Sequence, residues 1–245
     1  MKSMVAAIRF LTILGPSKRA EVSADYLPRS LLYFPLVGLL IGIILVGANF
    51  LLSKHLNHSV VNLSIVILLI ILTGALHLDG FADTLDGFYA GKDRQEILKI
   101  MEDSHIGTVG AIGLVILILS KFVLLEGIPE AIKCKALLLV PLSSRWAMVV
   151  SGSFSKAAKS EGLGKFFCKP VSLREWLGAT VFTLLAAFLI LKTQLIPFFL
   201  SLFLFTLILT RYIVKKIGGM TGDTFGALNE LTEVFSLLIF SLISS

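Results

Sequence analysis

The sequence predicts an all-α membrane protein: a polytopic bundle of about seven transmembrane helices with an additional N-terminal amphipathic or re-entrant helix. Two observations support this fold class. Of the 245 residues, 56% are hydrophobic and only 16% are charged, whereas soluble domains carry about 25% charged residues. The charged residues also fall mainly between apolar runs that are long enough to cross a bilayer as helices. We therefore interpret residues 1–245 as a single integral-membrane domain.

The apolar runs predict the spans one by one. In chain order they are Leu31–Leu52, Val60–Leu78, Thr108–Leu125, Ala136–Val150, Leu177–Leu191, Ile196–Leu209 and Leu228–Ile243. The first run has no charged residue, and the fifth and sixth have no acidic residue in their cores. The third run carries Lys121. The fourth run is interrupted by Pro141 and Arg145. The weak seventh run has Glu230 and Glu233 in its first turns. The polar residues 79–105 are predicted to form short helices and turns.

The opening segment, Met1–Pro16, has Arg9 within its apolar part and no convincing cleavage site. We interpret it as a retained amphipathic or interfacial helix rather than a signal peptide. Whether it lies flat, re-enters or crosses the membrane is left open. The two cysteines, Cys134 and Cys168, lack metal-ligand spacing and are predicted to lie on opposite sides of the membrane, so we expect no disulfide.

The distribution of positive charge predicts the orientation of the bundle. Alternate loops fall into two sets, one with 16 Lys and Arg residues and the other with 4. Because basic loops face the cytoplasm, the N-terminus is predicted inside and the C-terminus outside. The net charge of +6 is then a signal of topology and not of nucleic-acid binding. The same alternation places residues 79–103 and Asp223 together on the cytoplasmic side.

Three aspartates follow the second apolar run at helical spacing. Asp79, Asp83 and Asp86 stand at i, i+4 and i+7, so they share one face if the segment is helical. Like charges at this spacing repel one another, and no Lys or Arg interrupts them. Carboxylates with access to water suit Mg²⁺, which completes its shell with water and substrate phosphate. The pattern therefore predicts a magnesium site.

A second polar segment, Glu102–Gly110, leads into the third span and contains Asp103 and Ser104. It is read either as part of a functional acidic site or as a capped helix start whose acids favour the helix dipole. Residue patterns alone do not separate these two interpretations.

A third polar segment, Gly218–Gly226, contains Thr221 and Asp223 and is preceded by Lys216. Glycines and hydroxyls that lead into a helix can present backbone N–H groups to a phosphate. The alternative is a flexible connector with a basic flank. We favour a functional role because a second set of carboxylates is predicted on the same side.

Two further residues, Arg145 and His77, each allow two interpretations of their role. Arg145, within an apolar span, is either a bidentate donor to a substrate phosphate or an internal counter-ion for one of the acids. His77 is either a proton carrier or a hydrogen-bonded structural histidine.

Two functional classes fit these residues: a membrane enzyme for metal-assisted phosphoryl transfer on a diphosphate, and a divalent-cation transporter. Transport sites usually lie near the bilayer midplane between broken helices, whereas the acids here cluster at helix ends and in loops on one side. This placement favours the enzyme, and the single domain is accordingly predicted to be catalytic.

Several motifs resemble those of the cobalamin synthase family, the adenosylcobinamide-GDP ribazoletransferases. The resemblance lies in His77–Gly87, Ile100–Thr108 and Thr221–Ala227, and extends to Tyr33–Gly42, Ser144–Arg145 and Glu161–Gly164. It covers nearly the whole chain. The CDP-alcohol phosphotransferases also have a run of spaced aspartates beginning Asp-Gly, but Asp83 stands where they have Arg, so a phospholipid synthase is the weaker match.

The resemblance implies a Mg²⁺-dependent late step of coenzyme B12 assembly in a prokaryotic cell membrane. Its substrates would be adenosylcobinamide-GDP and α-ribazole or its 5′-phosphate. The ribose hydroxyl would attack the cobinamide-side phosphorus and expel GMP. Besides these substrates the expected partner is the lipid bilayer, with no nucleic acid, and homo-oligomerisation is left open.

These arguments give a set of candidate site residues. The predicted metal ligands are Asp79, Asp83, Asp86 and Asp223, and Asp79, Asp83 and Asp86 are also the predicted catalytic residues, with Asp83 or Asp86 as the general base. The predicted substrate-binding residues are His77, Asp103, Ser104, Arg145, Lys216, Thr221 and Glu230.

Overall fold

The fold is all-α. The structure, a computed structural model, describes residues 2–15, 26–168 and 173–243. Within these ranges the α-helices are Lys2–Leu11 (α1), Leu27–Ser30 (α2), Phe34–Leu52 (α3), His58–Thr73 (α4), Leu76–Ala90 (α5), Arg94–Ile100 (α6), Thr108–Glu126 (α7), Glu130–Ser153 (α8), Leu163–Cys168 (α9), Leu173–Leu191 (α10), Leu195–Ile217 (α11) and Gly222–Ile243 (α12). Short 3₁₀ turns cover Leu31–Tyr33 and Lys192–Gln194.

Six stretches in the described ranges are long and apolar enough to cross a membrane: Leu27–Leu52, Thr108–Glu126, Glu130–Ser153, Leu173–Leu191, Leu195–Ile217 and Gly222–Leu242. The pair α4 and α5 passes the same test jointly, although the two helices are bent by 89°. Counting that pair as one span gives seven. The predicted polytopic helix bundle is confirmed.

The bent pair corrects one predicted element. A continuous span over Val60–Leu78 was expected, but α4 ends at Thr73, where Gly74 (φ +60°) and Ala75 (φ +57°) both adopt the left-handed conformation. Left-handed residues satisfy the last carbonyls of a helix and end it. A new helix, α5, then begins at Leu76 and covers much of the region predicted as short helices and turns. Asp79, Asp83 and Asp86 therefore lie on one continuous helix.

The centre of the bundle is α8, which contacts α3, α10, α11 and α12. Every residue from Leu139 to Gly152 is buried. On its neighbour α3, Gly38 and Gly42 lie directly against the α8 backbone, and a Cβ atom on Gly42 would stand 2.8 Å from the Leu137 carbonyl oxygen. Small residues of this kind let membrane helices approach closely.

The N-terminal helix α1 covers most of the predicted Met1–Pro16 segment, whose first and last residues lie outside the described part. Its buried side comprises Ala6, Ala7 and Leu11, whereas Lys2 and Val5 are exposed. Phe10 of α1 stacks on Phe34 of α3 with a centroid distance of 5.9 Å. Cys134 and Cys168 are free thiols.

We expect Gly38→Ala to destabilise the bundle. Its new methyl group would overlap the Pro141 carbonyl oxygen of α8, and overpacking of this kind costs about 1–3 kcal/mol. The thermal unfolding midpoint of the full-length protein in one detergent measures the effect. The matched control is Gly47→Ala on the same helix, where nothing lies within 4 Å of an added Cβ. Equal midpoints for the two variants would contradict the proposed α3–α8 contact.

Candidate active site

The three aspartates of α5 follow the accessible side of a helix whose other side is buried. Asp79 is exposed and Asp83 and Asp86 are half-buried, whereas His77 and Phe81 are buried. This pattern arises because α5 packs between α12 and α7. No Lys or Arg lies on α5 itself.

Gly80 brings α5 into backbone contact with the start of α12. A Cβ atom at this position would lie 2.7 Å from the Cα atom and 2.8 Å from the carbonyl oxygen of Asp223. Only glycine permits so close an approach. The aspartates of α5 and the half-buried Asp223 therefore meet at one end of the bundle, called the acidic end below.

Asp83 is close enough to three other carboxylates to interact with them electrostatically. They are those of Asp79, Asp223 and Asp86. Like charges this close repel one another, and a bound cation would relieve the repulsion.

The donor set at the acidic end fits Mg²⁺. In the described part of the chain, no three His, Cys, Asp or Glu side chains already form a group that could hold a metal ion. Mg²⁺ needs no such cage, since it keeps several waters and binds through one or two carboxylates and substrate phosphates. Asp79, Asp83 and Asp223 supply the oxygen donors that it prefers. The use of magnesium stays a prediction.

Asp86 differs from Asp79, Asp83 and Asp223 because its carboxylate is bonded to the backbone at the start of α7. Its Oδ2 atom accepts a hydrogen bond from the Gly107 N–H (2.7 Å) and its Oδ1 atom accepts one from the Gly110 N–H (2.8 Å). The carboxylate thus caps the N-terminus of α7, where a negative charge is favourable. Sequence analysis grouped Asp86 with the metal ligands, but both of its oxygens serve to join α5 to α7.

An open groove of about 380 Å³ adjoins Asp223. Its lining residues come from three separate segments and are Glu102, Lys159, Glu161, Gly162, Gly164, Met220, Thr221, Gly222 and Asp223. Thr221 and Thr224 hold the turn before α12 through reciprocal bonds, from the Thr221 N–H to Thr224 Oγ1 (2.8 Å) and from the Thr224 N–H to Thr221 Oγ1 (3.2 Å). Thr221 and Asp223 therefore face the same groove.

Lys159 is a groove residue that is absent from the site predicted from the sequence. Its Nζ atom donates to Glu102 Oε1 at 2.5 Å, and this bond lowers the pKa of the Glu102 carboxyl. The available signal was the Glu161–Gly164 motif of the same loop.

Asp103 and Ser104 are exposed, outside the lining of the groove. Asp103 accepts hydrogen bonds from the backbone N–H of His105 (3.0 Å) and bonds to its ring Nδ1 (2.7 Å). These bonds lower the pKa of Asp103.

Arg145 and Glu230 lie in a buried ion-pair network away from the groove. Lys121 of α7 donates to Glu230 Oε2 and Glu233 Oε2 of α12, each at 2.5 Å. Arg145 of α8 pairs with Glu233 Oε1, which also accepts from Asn229 Nδ2 at 3.3 Å. This arrangement matches the counter-ion reading of Arg145. The network holds two cations and two carboxylates, so its formal charges balance.

His77 is buried beside this network and interacts electrostatically with Arg145, Glu233 and Lys121. In the described part of the chain its Nε2 atom has no hydrogen-bond partner. Its main chain lies against Gly226, where a Cβ atom would be 3.1 Å from the His77 carbonyl oxygen. His77 thus lies below the acidic end, in the interior of the bundle.

Lys216 lines a different cavity, of about 310 Å³, together with Lys92, Arg94 and Lys215. The structure therefore gathers Asp79, Asp83, Asp86, Asp223 and Thr221 at the acidic end, where Asp86 is bonded to the start of α7. It leaves Asp103, Ser104 and Lys216 outside the groove and encloses His77, Arg145 and Glu230.

Comparison with known proteins gives a consistent result. Residues 3–241 match the family model described as cobalamin-5-phosphate synthase. An adenosylcobinamide-GDP ribazoletransferase of Caldanaerobacter subterraneus subsp. tengcongensis is 37% identical over 99% of this chain and 99% of its own length. Proteins of the same name from Thermoanaerobacter sp. (strain X514) and Geotalea daltonii are 38% and 36% identical, over 100% and 95% of this chain and 98% and 94% of their own lengths. No solved structure matches this chain.

We expect Asp86→Ala to loosen the start of α7. The change removes the acceptor of two backbone N–H groups, and loss of a helix cap costs about 0.5–2 kcal/mol. Hydrogen exchange at the amides of Gly107 and Gly110 should accelerate. Asp93→Ala is the matched control, because Asp93 caps α6 by accepting from the N–H groups of Gln95 and Glu96. Unchanged exchange in Asp86→Ala would rule out the capping role.

We expect Lys121→Met to destabilise the protein strongly, because it leaves two buried carboxylates with one cation. Breaking a buried ion pair costs about 3–5 kcal/mol. Adding Glu230→Gln to this variant should recover part of the loss, since it restores the balance of charge. Unfolding midpoints of Lys121→Met, Glu230→Gln and the double variant test this. If the unfolding midpoint of the double variant falls by the sum of the two single decreases, the proposed network is contradicted.

Proposed function

Because the chain belongs to the cobalamin-5-phosphate synthase family, we propose that it is an adenosylcobinamide-GDP ribazoletransferase. In this reaction a ribose hydroxyl of α-ribazole, or of its 5′-phosphate, attacks the phosphorus on the cobinamide side of the diphosphate. A new P–O bond forms, the P–O bond of the bridging oxygen breaks, and GMP leaves. The hydroxyl proton passes to a base on the protein. The product is adenosylcobalamin or its 5′-phosphate.

One observation carries the chemical part of the proposal: Asp79 and Asp83 of α5 meet Asp223 of α12 beside an open groove. These three carboxylates would hold Mg²⁺. When bound, the ion would act as a Lewis acid and stabilise the negative charge on the departing phosphate.

The general base is assigned to Asp83. Sequence analysis left the choice between Asp83 and Asp86, and both oxygens of Asp86 are committed to backbone N–H groups. Asp83 is half-buried and surrounded by negative charge, which favours its taking up a proton.

The phosphate contact within the groove is assigned to Lys159 and Thr221. Both line the groove next to Asp223, whereas Arg145 is fully buried and paired with Glu233. Lys159 shares its charge with the exposed Glu102, so an incoming phosphate can compete for it. Arg145 and Glu230 then act on the fold and not on the substrate.

The alternative functions are less well supported. A CDP-alcohol phosphotransferase would not explain identity of 36–38% to ribazoletransferases over almost the whole chain. A cation transporter would need carboxylates available in the membrane interior, but the interior Glu230 and Glu233 are bonded to Lys121 and Arg145.

The location is proposed to be a prokaryotic cell membrane with the acidic end facing the cytoplasm. The multiple apolar helices support membrane insertion. The excess of Lys and Arg in the loops on the side of the acidic end supports the orientation.

We expect Asp83→Ala to abolish GMP release. Loss of a general base lowers turnover by about 10²–10⁴-fold, and the same carboxylate is a proposed metal ligand. Release of GMP from adenosylcobinamide-GDP by purified protein, measured across a Mg²⁺ titration after EDTA treatment, tests both roles. Wild-type release should vanish with EDTA and return with Mg²⁺.

The matched control is Glu96→Gln, which removes an exposed carboxylate from α6 and should leave turnover unchanged. Expression and membrane insertion of Asp83→Ala should equal those of the wild type, and its unfolding midpoint should not fall, because the change removes like-charge repulsion. Turnover at the wild-type rate by Asp83→Ala would show that Asp83 has no role in the mechanism. Release of GMP in the presence of EDTA would show that the reaction needs no metal ion.

A further inference from the structure

A second cavity lies beside the groove and carries the opposite charge. It has a volume of about 310 Å³ and is formed by α6 and the last turns of α11. Four cationic side chains line it, together with one carboxylate, Asp93, and the ring of Tyr212; the cations are Lys92, Arg94, Lys215 and Lys216. The cavity therefore has a formal excess of positive charge.

Arg94 is fixed in position at the wall between this cavity and the groove. Its Nη2 atom donates to the carbonyl oxygen of Ala158 at 2.6 Å. Its guanidinium lies against Gly218, where a Cβ atom would stand 3.1 Å from Arg94 Cζ. Ala158 immediately precedes Lys159 of the groove. The guanidinium is thus held beside the main chain of Ala158 and Gly218.

Among the residues that the structure describes, the cations of the cavity have no carboxylate partner. In the described part of the chain, none of the ion pairs within 4.0 Å involves Lys92, Arg94, Lys215 or Lys216. The Oδ1 atom of Asp93 is occupied by the N–H groups of Gln95 and Glu96. Several cations around one cavity repel one another, and a bound anion would remove that repulsion.

We propose that this cavity binds a phosphate group through direct contact with Lys92, Arg94, Lys215 and Lys216. A phosphate monoester carries about −1.5 to −2 charge and three acceptor oxygens, which match the excess charge and the several N–H donors. Arg is suited to bind two phosphate oxygens at once, and Lys acts as a point charge. No magnesium is needed, in contrast to the carboxylates of the acidic end.

The phosphate has two chemical sources. One is a soluble sugar phosphate or nucleotide. The other is the headgroup of an anionic lipid, since Lys215 and Lys216 lie in the last turn of a membrane-spanning helix. The site is independent of the proposed reaction, so it can be tested without turnover.

The soluble source is tested by calorimetric titration of the full-length protein in phosphatidylcholine nanodiscs with ribose 5-phosphate, and with ribose as the uncharged comparison. EDTA is present throughout, so that the carboxylates of the acidic end cannot bind phosphate through a metal. The cavity variant is Lys92→Gln/Lys216→Gln. The matched control is Lys54→Gln/Lys192→Gln, which removes two exposed lysines from outside the cavity.

The lipid source is tested by native mass spectrometry of the same three proteins in detergent with added phosphatidylglycerol or phosphatidylcholine. In at least one of these two experiments, we expect the wild type and the control variant to bind the phosphate ligand. The cavity variant should bind that ligand about tenfold more weakly. Binding of ribose or phosphatidylcholine should not change.

Preference for ribose 5-phosphate identifies a soluble ligand, and preference for phosphatidylglycerol identifies a lipid. The proposal is overturned if the cavity variant matches the wild type in both arms, or if the control loses affinity to the same extent. In that outcome the lysines serve only to orient the chain in the membrane. If the double variant is unstable, Lys216→Gln alone against Lys54→Gln gives the same decision with a smaller expected loss.

Discussion

The backbone contact between α5 and α12 is the constraint on which the candidate site depends. The left-handed pair Gly74 and Ala75 turns the chain by 89° out of α4, and Gly80 then lets α5 lie directly on Asp223. Two acidic segments that are distant in the chain meet as a result. A longer side chain at position 80 would separate them, because it would collide with main chain, which cannot rotate away.

The bundle holds its charged residues in two contrasting environments. In the interior, Lys121 and Arg145 balance Glu230 and Glu233, so little net charge is left in the apolar core. At the acidic end, by contrast, the carboxylates are unbalanced and reach the surface. Balanced charge serves the stability and register of helices, whereas unbalanced charge beside an open groove remains available for a metal ion and a substrate.

Hydropathy and helical spacing were sufficient to predict most of the fold and part of the site. Apolar runs locate helices because length and composition alone decide whether a segment can span a bilayer. They did not reveal the turn at Gly74, since the apolar run continues to Leu78. Spacing predicted that Asp79, Asp83 and Asp86 share a face, but not that Asp86 caps α7. The ion pair of Arg145 with Glu233 and that of Lys159 with Glu102 are tertiary contacts, and local spacing predicts neither pairing.

The interior ion-pair network also sets an order for the biogenesis of this protein. Lys121 and Arg145 are translated well before Glu230 and Glu233, which belong to the last helix. During synthesis the two cations must therefore enter the membrane without their final partners, where an isolated charge is costly. The earlier helices can already pack on one another, as α3 does on α8, but the charges of Lys121 and Arg145 are balanced only when α12 arrives. The same helix brings Asp223, so a nascent chain that stalls earlier has neither a charge-balanced interior nor a complete site.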